Sequence, residues 1–169
     1  EWYHCGDFDV LGNRWLLKET FIPPFLLFIG KVMMQCGFSQ YSGVLYLNMI
    51  LGSLLPIIIF CCAKKLWPQY PGRAYIATLF TAIHPSLIAF SADLLRESSY
   101  IFFIACTFYF WLMMYKEKQC FPAIITGIMA ALTTLCRYEG FELYPMLLIT
   151  IITGIIMQEF KPRQGVFMM

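Results

Sequence analysis

The 169 residues are 60% hydrophobic and 18% aromatic, with 13% charged and a formal net charge of +2. A soluble domain carries about a quarter charged residues, so this composition excludes an ordinary water-soluble fold, and the small net charge excludes an electrostatic nucleic-acid binder. The seven cysteines fall at no metal-ligand spacing.

In chain order, residues 1–40 read as an outer-face loop carrying juxtamembrane helices, and residues 41–169 as a transmembrane bundle. Leu11–Leu17 mixes apolar side chains with Arg14 and Lys18, and Phe21–Phe38 is interrupted by Pro23, Pro24, Gly30, Lys31 and Gln35. Both are expected to be helices lying in the interface with their apolar side down. Apolar runs near 41–63, 74–92, 98–115, 119–136 and 141–158 follow. Runs of about 18 residues suffice to cross a bilayer, and without water their backbone groups must be paired within helices. The expected fold is therefore all-α and polytopic, one domain with about five transmembrane helices. His84-Pro85 reads as a kink with a hydrogen-bonded imidazole, and Gly127 and Ala131, four apart, as a stripe a neighbouring helix can approach. Cys61, Cys62, Cys106 and Cys136 sit inside apolar runs, where cysteine acts as a small hydrophobe. An oxidising compartment could pair only Cys5 with Cys36. A first residue other than Met and a last stretch of Phe167, Met168 and Met169 read as the cut ends of a longer chain.

The charges orient the crossings. Loops after the first, third and fifth runs hold Lys64, Lys65, Arg73, Lys116, Lys118, Lys161 and Arg163 against Glu117 and Glu159. The other loops and ends hold Arg14, Lys18, Lys31, Arg96 and Arg137 against Glu1, Asp7, Asp9, Glu19, Asp93, Glu97, Glu139 and Glu142. That alternation fits five sequential crossings with the basic loops inside. Two tight outer turns then stand out, ADLLRESS (92–99) and the CRYEGFE stretch (136–142), each with more charge than solubility requires.

Four phrases, in order, resemble one class of enzyme: ETFIPPFLLFIGKVMMQCGFS (19–39), CCAKKLW (61–67), IHPSLIAFSADLLRESSYIFF (83–103) and GIMAALTTLCRYEGFELYPMLL (127–148). They are similar to the dolichyl-phosphate-mannose protein mannosyltransferases and the lipid A aminoarabinose transferases, over nearly all of the chain. The resemblance implies a GT-C fold, a polyprenyl-phosphate-linked sugar as donor, and a protein, lipid or glycan as acceptor. It also implies an active site on the outer face of a bacterial inner membrane. The family's first transmembrane helix and its later helices are expected to lie outside this stretch. In that class the first outer loop carries an acidic residue, and here CGDFDVLGNRWLL (5–17) supplies Asp7 and Asp9 around Phe8. One register puts the acid at His4 and another at Asp7; Asp7 is favoured, because His4 supplies no carboxylate.

The chemistry implied is an inverting transfer. Asp7 would take the acceptor's proton; Asp9 would orient it, or help hold a divalent metal if one is used. Arg137, with Arg96 second, would stabilise the leaving phosphate, and Glu97, Glu139 and Asp93 would support them. Each has a plainer reading. Arg137 as a helix-terminal cation reaching for headgroups would be the commoner case without the resemblance. Asp7 and Asp9 could be helix caps, Asp93, Arg96 and Glu97 a solvated turn, and Lys31 a snorkelling side chain. A transporter or flippase would carry ionisable groups at mid-bilayer, and the five runs offer His84. A non-catalytic membrane scaffold is the third alternative.

Overall fold

The computed structural model describes residues 24–92, 96–117 and 120–156, and among these every regular element is helical. The fold is all-α. The elements are α1 (Pro24–Gln35), α2 (Gln40–Leu66), α3 (Pro71–Ile83), α4 (Pro85–Ala92), α5 (Glu97–Glu117), α6 (Cys120–Cys136), a 3-10 turn (Tyr138–Glu142) and α7 (Leu143–Ile156).

Local chemistry sets the boundaries. Gly37, at φ +85°, makes the reversal between α1 and α2 that a side chain would resist. Ser39 caps α2 by accepting from the Ser42 N–H at 3.3 Å. Pro71 opens α3, where its missing N–H costs nothing. Pro85 can neither donate nor tolerate a continuing helix before it, so α3 and α4 meet at His84 with a 52° bend. The kink expected there is present. Its imidazole is exposed and makes no hydrogen bond among the described residues.

Among the described residues two helices, α2 and α5, are each long and apolar enough to cross a membrane, and α3 with α4 makes a third if the bent pair is one span. The 17 residues of α6 rise only about 25 Å against a hydrocarbon core of about 30 Å. In α7 the described helix is 14 residues.

Contacts along the helices give their directions. Asn48 of α2 meets Ser98 and Ser99 at the start of α5, Cys62 meets Ala105, and Lys65 meets Glu117 at the end, so α2 and α5 run parallel. The α3–α4 pair returns antiparallel to α2, with the Phe60 and Tyr75 rings 5.3 Å apart and Ser91 against Gly52. Trp111 of α5 donates to the Thr150 hydroxyl midway along α7 at 3.2 Å. Helix α1 turns back beside the first half of α2, its Phe25 ring edge-on to Phe103 of α5 at 5.3 Å. The bundle therefore has two chemically distinct ends. Lys64, Lys65, Arg73, Lys116 and Glu117 lie at one, and Arg96, Glu97, Arg137 and Glu139 at the other.

Apolar side chains such as Phe28, Leu79, Phe80, Phe121 and Ile124 cover the outside, while Asn48, Ser99, Thr107 and Thr133 are buried. Most interior hydroxyls return to their own helix, as Thr107 to Phe103, Thr126 to Pro122 and Thr133 to Met129. That inside-out pattern suits lipid as the surrounding solvent. One expectation is corrected here: Gly127 and Ala131 of α6 are exposed, with nothing within 4 Å of where a Gly127 Cβ would stand. The packed stripe of α6 is Pro122, Thr126, Ala130 and Thr133 instead. Cys36 is a free, exposed thiol, and Cys5 lies outside the described residues.

Candidate functional site

The site is built where α6 stops. The Arg137 N–H closes the last turn on Thr133 O at 3.0 Å, after which Arg137 itself is extended, at φ −159° and ψ 135°. The chain then tightens into the 3-10 turn, whose Gly140 N–H bonds back to Arg137 O at 3.0 Å. Gly140 is pressed onto α6 so closely that a Cβ would stand 2.8 Å from the Thr134 backbone. Only glycine allows that approach. The turn swings the Arg137 side chain across to α5.

There the guanidinium meets three groups. Its Nη1 donates to Glu97 Oε1 at 3.3 Å, its Nη2 pairs with Glu139 Oε1 at 3.0 Å, and its carbon lies 5.7 Å from the centre of the Tyr100 ring. Glu97 and Tyr100 are three apart on α5 and so share a face. Glu97, in the first helical turn, also benefits from the helix dipole. The two carboxylates differ in setting: the Glu97 side chain is 23% exposed and the Glu139 side chain 52%. Glu97 Oε2 is buried with no hydrogen-bond partner among the described residues.

The charges reinforce one another. The hydrogen bond from Arg137 to Glu139, then the nearby charges of Glu139 and Glu97, hold the guanidinium proton more tightly than usual. Its own backbone N–H first, then Arg137, pull the Glu139 carboxyl below the ordinary glutamate range, with the charge of Arg96 adding to the effect. Arg96, half-buried in the turn before α5, is thus electrostatically part of the cluster.

Below this cluster two features fix the frame. The fully buried Asn48 accepts from the Ser99 hydroxyl through Oδ1 at 3.0 Å and from Ser98 through its carbonyl at 3.2 Å, tying the start of α5 to α2. An apolar cleft of about 160 Å³ separates α5 from α7, lined by Ile104, Thr107, Phe108, Leu143, Met146 and Leu147 and crossed at its far end by the Trp111–Thr150 hydrogen bond. Its near end is one helical turn below Tyr100 and directly follows the 3-10 turn.

Of the residues singled out in the sequence, Arg137, Glu97 and Glu139 come together, with Arg96 beside them. Asp7, Asp9, His4 and Asp93 lie outside the described residues. Among the described residues no three His, Cys, Asp or Glu side chains converge as metal ligands. Sequence reasoning missed Tyr100 and Asn48. The signals were present: Tyr100 is in register with Glu97, and Asn48 is a lone amide in an apolar run, which in a membrane calls for a partner.

Residues 22–168 match the family of dolichyl-phosphate-mannose-protein mannosyltransferases. The chain belongs to that family. It is accordingly an integral membrane protein of a GT-C type glycosyltransferase family, and the phrases read from residues 19 to 148 fall almost entirely within the matched stretch. Comparisons with curated proteins and with solved structures found no match.

Proposed function

We propose that this chain forms the donor-binding part of an enzyme that transfers a sugar from polyprenyl phosphate to an acceptor hydroxyl, with inversion, at the outer face of the membrane. The observation that carries this reading is the position of Arg137. It is a cation held at the end of the bundle, and the Tyr100 ring it lies over is one helical turn from the near end of an apolar cleft. A lipid-linked phosphate has the same two parts, an anionic head and a hydrocarbon tail.

In the proposed reaction the acceptor oxygen attacks the anomeric carbon as Asp7 takes its proton. The bond from that carbon to the phosphate oxygen breaks, and the electron pair leaves with the phosphate. Attack from the side opposite the leaving group inverts the centre. Arg137, helped by Arg96, meets the charge that grows on the departing oxygen, where a fixed donor is worth most. Glu97 holds the guanidinium in place, and Asp9 orients Asp7. The isoprenoid lies along the α5–α7 cleft.

The test is sugar transfer by the full-length protein in nanodiscs. Arg137→Ala should lower the rate by roughly 100-fold or more, and Asp7→Asn should abolish it. Full activity in Asp7→Asn would remove that aspartate as the base, and unchanged donor affinity in Arg137→Ala would remove the phosphate role.

A further inference from the structure

Resting on the donor-phosphate reading, we propose that Glu139 is a placeholder in the anion seat of Arg137, a carboxylate that an incoming lipid phosphate displaces and that re-enters as the spent phosphate leaves. The geometry separates the two carboxylates on this arginine. Glu97 belongs to the first turn of α5, which Asn48 ties to α2, and one of its oxygens is buried. Glu139 sits on the 3-10 turn, with its side chain half exposed and bonded to Nη2. With both carboxylates in place the guanidinium has its charge answered twice, and a further anion gains little from it. One must yield, and Glu139, the more exposed of the two and tied among the described residues only to its own backbone N–H and to this arginine, is the one that can leave without uncovering a buried oxygen.

A second cation lies at the same end: the charge of Arg96 acts on Glu139 and favours its carboxylate form when Nη2 is given up. The Glu97 contact persists throughout, which keeps the guanidinium aimed while Nη2 changes partners. The spent lipid is a monoester, with three terminal oxygens and about −1.5 to −2 charge, and the donor is a diester with one charge over two terminal oxygens, so each can take the place of a single carboxylate on Nη2. Because Glu139 competes with donor and product alike, it lowers the affinity of both by one factor and so hastens release of the spent lipid.

The experiment measures binding of farnesyl monophosphate, and separately of inorganic phosphate, to the full-length protein in nanodiscs. Glu139→Gln should bind both about two- to fivefold more tightly, the range expected for removing one exposed ion-pair competitor. Glu142→Gln, an acid of the same turn, should bind as the unaltered protein does. Arg137→Ala should bind at least tenfold more weakly. Equal tightening in Glu142→Gln would overturn the proposal, since the gain would then come from the general field and not from the vacated contact. A gain confined to farnesyl phosphate would overturn it also, because Glu139 competes for the guanidinium and not for the cleft. If Arg137→Ala weakens binding while Glu139→Gln does not strengthen it, the placeholder fails and the phosphate site stands. If Arg137→Ala binds normally, the phosphate site fails and the placeholder with it.

Discussion

At one end of the bundle Lys65 of α2 reaches Glu117 of α5, Lys116 donates to the Lys65 carbonyl, and Arg73 stacks 4.5 Å from the Tyr70 ring, with Lys64 exposed. At the other end Arg137 is gripped by Glu97 and Glu139 above the Tyr100 ring. Both ends join helices by ion pairs, yet the balance differs. The first has cations in excess, flanked by Trp67 and Tyr70, which suits an orienting role at a membrane interface. The second sets two acids against Arg137, with Arg96 beside them, one helical turn from a cleft. An excess of charge anchors a protein, whereas a balanced cluster fixes one side chain in place.

The comparison breaks most visibly in transfer activity. Arg137→Ala should cost roughly 100-fold or more, and Lys65→Ala less than about twofold; similar losses at the two ends would erase the distinction. A smaller effect is expected on stability from Asn48→Ala, which strips Ser99 of its buried acceptor. Interhelical hydrogen bonds in membranes contribute about 0.6 to 2 kcal/mol, so unfolding in a denaturing-detergent titration should shift by that amount. Donor affinity should fall along with it, because the start of α5 carries Glu97 and Tyr100.

The pH response sharpens the picture at Glu139. A carboxyl whose folded-state value is depressed contributes stability above its unfolded value and loses it as pH falls through the folded one. Arg137 stays charged throughout. The bridge should therefore survive mild acid and open only below the ordinary glutamate range. The carboxyl carbon-13 shift of Glu139 would follow this, and a midpoint at or above the ordinary value would refute it. The smallest effect belongs to the basic end: Glu117→Gln should cost less than about 1 kcal/mol, with a loss that shrinks as salt rises.

Much of the helical frame was legible because a membrane chain has few options. Runs near 41–63 and 98–115 became α2 and α5 nearly in register, since nothing else satisfies their backbone in lipid. Pro85 announced the break in the run near 74–92. The site was legible in part: CRYEGFE and RESS carried too many charges for short turns, and Arg137, Glu97 and Glu139 do meet. The partner of Asn48 was not legible, because Ser99 lies 51 residues along the chain. Nor was the packed face of α6, where the small residues Gly127 and Ala131 pointed to the wrong stripe.

The sequence by itself determined the helices, their breaks, the segregation of charge between the loops and the family. Each follows from local composition or from a proline's missing N–H. Only the tertiary structure decided which acids share Arg137, that Tyr100 lies beneath it, and which face of each helix turns inward. In a soluble helix polarity marks the outer face. Here lipid-facing Ile124 and Ile128 and core-facing Ala130 are all apolar, so apart from the few buried hydroxyls and Asn48 hydrophobicity does not tell the faces apart, and packing between helices has to do so.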